Sequence, residues 1–386
     1  MGEPSQASLK RTKVVVAMSG GVDSSTTAAI LLDRGYQVIG MMMRLWAEDD
    51  VAGQEISANR CCSTEAVADA RRVCQLLGIP FHVVNYEQEF KQHVVDTFVA
   101  EYSRGRTPNP CLYCNRHIKF NLLLHHALKL GADYLATGHY ARIREVNGTY
   151  QLWKGVDPVK DQSYVLYMLG QEELRHLLLP LGEFTKAAVR AIAQEHALPV
   201  AEKEESQDLC FVRDNDYRRF LRQYAPEAIR PGPIFDSAGR LLGEHKGLLF
   251  YTIGQRSGLG IAAPEALYVL DIDPAHNALI VGPASELGRS QLIAEDVNYI
   301  AGHAPPASLQ VTAKIRRQAR LARATLTPLD GSRAQLTFTH PLRDITPGQG
   351  VVFYRGEEVL GGGIIDRVEP EREEEKASMV AESGEH

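Results

Sequence analysis

The sequence predicts an α/β fold in which a doubly wound parallel sheet is followed by a small central β-rich domain and a C-terminal β barrel. Three observations carry that expectation. Strand-like and helix-like stretches alternate over the first half, as they do where parallel strands are joined by crossover helices. Residues 14–17, Val-Val-Val-Ala, are apolar without polar alternation, the pattern of a strand covered on both faces. Beyond Pro231 helical periodicity gives way to short strands between glycine-rich turns, which suits small sheets and barrels.

Taken in order, strands are expected at 13–18, 36–43, 81–85 and 133–137, with helices at 24–34, 66–77, 88–102 and 116–130. Ser19, Gly20 and Gly21 turn the chain after the first strand. Adjacent glycines permit φ > 0 and carry no Cβ, so several backbone N–H groups can converge on one anion. Asp23, Ser24 and Ser25 open the helix, where four N–H groups lack intrahelical partners and the dipole favours negative charge. Asp23 would repel phosphate unless Mg²⁺ bridged the two, which makes a metal-bridged nucleoside triphosphate the natural ligand. The loop has neither the lysine of G-x-x-x-x-G-K-[ST] nor the spacing of G-x-G-x-x-G, so the usual ATPase and dinucleotide loops are excluded. Ligands on such sheets bind beyond the carboxyl ends of the strands, and three groups fall there: the loop after Met18, Met43, and Gly138-His139.

The connection at 47–64 holds Cys61 and Cys62, which read as incidental on a polar, mobile loop. Between the third and fourth strands lies Arg104-Gly-Arg-Thr-Pro-Asn-Pro-Cys-Leu-Tyr-Cys-Asn115. Pro108 and Pro110 hold Thr107 and Asn109 extended, and the next helix is expected to begin just after Cys114. Cys111 and Cys114 then sit near a helix N-terminus, which stabilises a thiolate. Taken alone, C-x-x-C is open to zinc, redox and cluster chemistry. Lys160-Asp-Gln-Ser-Tyr164 leads into a helical, mixed-charge region to about 201, and then Cys210-Phe211. Near the end Lys314, Arg316, Arg317, Arg320 and Arg323 form a basic cluster, open to reading as a phosphate strip or a solvated face.

Composition bounds the rest. The 386 residues suffice for two or three domains with real cores, and 44% hydrophobic with 23% charged residues is ordinary for a soluble globular protein. No run of 18 apolar residues occurs, so no membrane span is expected. The first residues are polar and lack a signal-peptide core, and Gln6 breaks the myristoylation pattern. Six cysteines without a secretory signal point to a reducing cytoplasm. The net charge of −6 is concentrated from Glu369 onward, where seven acids face only Arg372 and Lys376; that tail is expected to be disordered and leaves a nearly neutral body. The expected divisions are a flexible N-terminus at 1–12, an ATP-binding catalytic domain at 13–218, a central domain at 219–292, a barrel at 293–368 and the acidic tail at 369–386.

The loop SGGVDS resembles that of the PP-loop ATP pyrophosphatases, which share an adenine nucleotide α-hydrolase-like fold. With GRTPNP, Cys114-Asn115, ATGHY (136–140), KDQSY (160–164), Cys210-Phe211, GEHKGL, IGQRSGLGI, TPGQ and LGGGII, the chain is similar along most of its length to the tRNA-specific 2-thiouridylase family. The resemblance implies a sulfurtransferase that adenylates the C2 oxygen of the wobble uridine with ATP and replaces it by sulfur, releasing AMP and pyrophosphate. It implies ATP contacts at Ala17, Met18, Ser19, Gly20, Gly21, Val22, Asp23, Ser24, Met43 and Gly138. Asn109, Pro110 and Cys111 would lie against the target base, with tRNA contacts at His139, Lys160, Asp161, Gln162, Arg316, Arg317 and Gln349. Asp23, Cys114 and Cys210 would be catalytic. In the usual family picture Cys210 carries a persulfide and Cys114 attacks it, ending in a Cys114–Cys210 disulfide.

Two departures stand out. Arg317 replaces the tyrosine familiar after Arg316, exchanging a stacking contact for a phosphate contact, and Cys111 occupies a position that is aspartate in many members. Cys111, Cys114 and Cys210 could hold three irons of a [4Fe–4S] cluster whose open iron binds hydrosulfide. That reading stands first, ahead of the persulfide pair and of a zinc set completed by His117. The sulfur donor is open among a persulfide carrier protein, a cysteine desulfurase and hydrosulfide. Two other function classes are carried: a PP-loop ligase with a small-molecule acceptor, and a tRNA-binding protein with an inactive ATP site.

Overall fold

The computed structural model describes residues 11–46, 48, 63–204, 209–212 and 214–369. The expectations about the N-terminal residues 1–10, Cys61, Cys62 and the acidic tail beyond Glu369 lie outside those residues.

The first half runs through β1 (Lys13–Met18), β2 (Gln37–Arg44), β3 (Phe81–Asn85), β4 (Tyr134–Ala136), the hairpin β5 (Ala141–Val146) and β6 (Thr149–Lys154), and β7 (Leu177–Leu178). Strands β3, β2, β1, β4 and β7, in that order, form a wholly parallel sheet. Helices α1 (Val22–Asp33), α2 (Thr64–Leu76), α3 (87–103), α4 (110–129) and α5 (Lys186–Glu195) cover it. The valine run reads as expected. Val14 and Val16 face a core shared with α1 and α2, and Val15 faces one shared with α3 and α4; all three are fully buried. Burial of each contributes roughly 1.5–3 kcal/mol. Cys74 belongs to the first of these cores, packed so closely that a Cβ on Gly40 would lie 2.5 Å from its sulfur. Burial pushes its thiol up to about 11, so it is a packing residue.

After α6 (Tyr217–Tyr224), strands β8 (Gly232–Asp236), β9 (Leu241–His245), β10 (Tyr268–Asp273) and β11 (Ala278–Gly282) form a four-stranded sheet in the order β10–β11–β8–β9. Strands β12 (Arg289–Tyr299), β13 (Leu309–Lys314), β14 (Ala322–Leu329), β15 (Arg333–Leu342), β16 (Gly350–Arg355) and β17 (Glu358–Glu369) pair antiparallel in the order β12–β15–β14–β13–β16–β17. Pairing of β12 with β17 closes the barrel around Leu292, Val311, Leu336 and Phe353.

Three local expectations are corrected. Helix α4 begins at Pro110, ahead of the expected start at 116, because the Asn109 side chain accepts from Cys111 N at 3.1 Å and Pro110 fills the first helical position, where a missing N–H costs nothing. Both α3 and α4 contain π-helical stretches, Lys91–Val95 and Cys114–Leu123, which no apolar periodicity announced. The region after 164 is not wholly helical: Leu177 and Leu178 add the edge strand β7 beside β4. Among the described residues no helix is long and apolar enough to cross a membrane.

Candidate active site

Strand register gathers the nucleotide residues. Val16 lies opposite Ala136 and Met18 opposite Met42. Two residues beyond Ala136, Gly138 therefore stands level with Met18, and Met43 is one step past Met42. All three crown the carboxyl edge of the sheet, around the central strand. Gly20 has φ +70° and its missing Cβ would fall 2.4 Å from Ala66 O, so no other residue lets the turn pass under α2. Gly21 is the N-cap of α1. Ser24 Oγ accepts from Ser19 N at 3.1 Å, and Ser25 Oγ donates to Gly21 O at 2.8 Å; these hydroxyls fix the loop's shape. A Cβ on Gly138 would approach Asp23 and Ser24 N at 3.0 Å, so glycine there lets the β4 loop close over the start of α1.

Asp23 is the charged centre of this cradle. Its Oδ1 accepts from Tyr140 Oη and from Lys186 Nζ, each at 2.7 Å. Lys186 begins α5, where Thr185 caps the helix and Asp157 accepts from Lys186 N at 2.9 Å. Backbone donors, Lys186 N first among them, hold the Asp157 carboxyl below its usual range. Sequence reading missed Lys186 as a site residue: only folding brings it to Asp23, and an isolated lysine at the start of a helix carries no signal of its own. Tyr140, inside ATGHY, is in turn fixed by Gln162, whose Oε1 accepts from Tyr140 N at 3.0 Å.

The second half of the site surrounds α4. Cys111 is exposed in its first turn; Cys114, one turn on, is buried in the core between α3 and α4. Cys210 packs half-buried against that same core. Its neighbour Phe211 is anchored by the rings of Phe98 at 5.2 Å and Phe220 at 5.5 Å. Cys114 and Cys210 thus both border one large core. Among the described residues no group of three His, Cys, Asp or Glu side chains is gathered as a metal-ligand set. His117 instead stacks on His93, with centroids 4.8 Å apart, and burial together with that neighbour lowers its pKa.

Several residues expected at tRNA are engaged inside the protein. His139 is buried, 2.7 Å from Thr137 Oγ1 through Nδ1, and burial pushes its pKa well down, so it offers phosphate no charge. Asp161 accepts from Gly155 N and Ser163 N, both at 3.1 Å. Gln349 Nε2 donates to Thr107 O at 2.8 Å. Lys160 is half-buried. Arg316 and Arg317 are exposed, with Arg316 reaching Asp344 at 3.3 Å, and Arg320 and Arg323, exposed as well, extend the basic strip.

Three family models match in succession: the tRNA methyl transferase HUP domain over residues 12–214, the tRNA methyl transferase PRC-barrel domain over 218–283, and the aminomethyltransferase beta-barrel domain over 289–365. A tRNA-specific 2-thiouridylase MnmA of Carboxydothermus hydrogenoformans is 51% identical over 360 residues, 92% of this chain and 98% of its own. That of Moorella thermoacetica is 52% identical over 356 residues, 92% of this chain and 99% of its own. A solved U34-tRNA thiolase of Methanococcus maripaludis with its [4Fe-4S] cluster matches 56% of this chain and 67% of its own at 21% identity and a TM-score of 0.32, a likeness too slight to argue from.

Proposed function

The chain belongs to the tRNA-specific 2-thiouridylase family, and from that premise we propose how its residues divide the work. It is a tRNA sulfurtransferase that uses ATP to form 2-thiouridine. An amide-like uracil oxygen is a poor leaving group, and bonding it to the α-phosphate turns it into one that departs as AMP. The backbone of 17–24 cradles the phosphates, with Met43 and Gly138 beside the adenosine. Asp23 offers its carboxylate to Mg²⁺, which supplies charge neutralisation when bound. Lys186 holds Asp23 in place and puts a cation where charge develops on the phosphates.

Sulfur arrives by the cysteine pair. The single observation that supports this reading is that Cys114 lies in the large core against which Cys210, 96 residues away in sequence, also packs. A sulfur donor leaves a persulfide on Cys210. The Cys114 thiolate attacks Cys210 Sγ, the S–S bond of the persulfide breaks, and its terminal sulfur leaves as hydrosulfide to attack C2 while AMP departs. A Cys114–Cys210 disulfide remains, and an external thiol reduces it for the next turn. Asn109 and Pro110 face the wobble uridine, and the strip from Arg316 to Arg323 meets the tRNA backbone. No step of this route passes through a cluster.

Single-turnover thiolation with a persulfide donor tests the pair. Cys210→Ser and Cys114→Ser should each form the adenylate without 2-thiouridine, and wild type should accumulate the disulfide when reductant is withheld. Undiminished thiolation by either variant would refute the reading.

A further inference from the structure

Segment 107–115, which carries Asn109, Cys111 and Cys114, is bracketed by two arginines, and the barrel grips both. Arg106 Nη2 donates to Glu295 Oε1 at 2.7 Å, while its other nitrogens reach Glu101 at 2.7 Å and Asp366 at 3.3 Å. Arg116 forks onto Asp296: Nη2 donates to Oδ1 at 3.1 Å and Nη1 to Oδ2. Glu295 and Asp296 are consecutive on β12, and consecutive residues of a regular strand point to opposite faces. Here the strand is not regular. Asp296 has φ +52°, and the pairing of β12 with β17 slips between Glu295 and Asn298. Such a bulge re-aims a side chain.

Two glycines of LGGGII, Gly361 and Gly363, make room for this bulge. A Cβ on Gly361 would fall 2.2 Å from Asn298 O, and one on Gly363 would fall 2.8 Å from Glu295 O. On the other side, Arg116 stands two residues into the π-helical stretch that starts at Cys114. Sparsely populated backbone conformations and π-turns both concentrate at functional sites. The Arg116–Asp296 pair is also a poor structural device. Its side chains are 32% and 51% exposed, and a pair so wet adds little to stability.

We propose that Glu295 and Asp296 are positioning residues for sulfur transfer. Through Arg106 and Arg116 the barrel clamps both ends of the reactive segment and sets where Cys114 stands relative to the bound uridine. The proposal rests on the role of Cys114 in sulfur transfer. It makes the barrel part of the catalytic geometry as well as a surface for tRNA.

The test is single-turnover thiolation at saturating tRNA and ATP by the full-length enzyme, comparing wild type with Asp296→Asn, Arg116→Gln and the double variant. Asparagine is at home at positive φ, so Asp296→Asn removes the charge and keeps the bulge. Each single variant should lose about 10- to 100-fold in rate, the scale of a small misplacement, with unchanged tRNA affinity and thermal midpoint. The double variant should lose no more than either single, since all three break one pair. A wild-type rate in Asp296→Asn, losses that multiply in the double variant, a loss seen only as weaker tRNA binding, or a markedly lowered thermal midpoint would each overturn the proposal. Cys114→Ala run alongside keeps the two readings apart: its full activity would refute the role of Cys114, whereas its inactivity leaves the clamp to be judged by the other variants.

Discussion

Asp23, Tyr140 and Lys186 show how a charge is placed by groups the sequence scatters. Asp23 was legible, because a glycine turn followed by Asp-Ser-Ser at a helix entry has few other uses. Lys186, 163 residues away, had no such signal, yet it makes a 2.7 Å ion pair with Asp23 and is only 12% exposed. Lys186→Met keeps the aliphatic stem and removes the charge. Exchange of pyrophosphate into ATP in the presence of tRNA should fall by about 10²–10³-fold, while the fold, losing a pair open on the Asp23 side, should lose no more than about 1 kcal/mol by urea titration. An exchange rate within a factor of about three of wild type, a difference of well under 1 kcal/mol in the barrier, would remove Lys186 from the site. The internal bonds of His139, Gln162 and Gln349 carry a related lesson. Motif residues assigned to tRNA by resemblance hold one another, or the loops beside the site, in this structure.

Among the elements, the four first strands were legible because short apolar runs alternate there with helical patterns, and β1 and β3 fall where the sequence put them. The start of α4 was not. Proline was read as ending extended chain, whereas Asn109 and Pro110 together form an N-cap and first turn. Asn109→Ala should lower stability by about 1 kcal/mol, measured by thermal unfolding. It should also lower the rate at which iodoacetamide modifies Cys111, since the frayed turn no longer presents the thiol at an ordered helix start; unchanged stability and reactivity would mean that Pro110 fixes the turn unaided. The hairpin of β5 and β6 was announced by Asn147-Gly148, both at positive φ, between alternating residues, a signal that sequence reading passed over. The two-residue strand β7 and the π-helical turns have no comparable signature, because tertiary pairing rather than local propensity makes them.

At the scale of the whole molecule the catalytic domain and the barrel are joined in more than one way. Strand β6 pairs with β17 through Trp153 and Glu358, Thr107 N donates to Pro347 O at 2.9 Å, and the two arginine grips add to these. Deleting everything from Ala294 onward would therefore strip the catalytic domain of its supports as well as of a tRNA surface. Point variants separate the two: Arg316→Gln with Arg317→Gln should weaken tRNA binding and lower the slope of log affinity against log salt by about 0.9 for each duplex phosphate no longer neutralised, while ATP binding stays as it was. An unchanged slope would make the strip a solvated face. The order of domains was legible in composition, but their mutual grip was not, since it depends on pairs such as Arg106–Asp366 that lie 260 residues apart. The central claim is ATP-driven thiolation by α-phosphate activation, and one product analysis tests it most directly. The full-length enzyme is given Mg·ATP, unmodified tRNA and a persulfide donor, and nucleotide and nucleoside products are counted together. AMP, pyrophosphate and 2-thiouridine in equal amounts are predicted; ADP with orthophosphate, or 2-thiouridine formed without ATP cleavage, would contradict it.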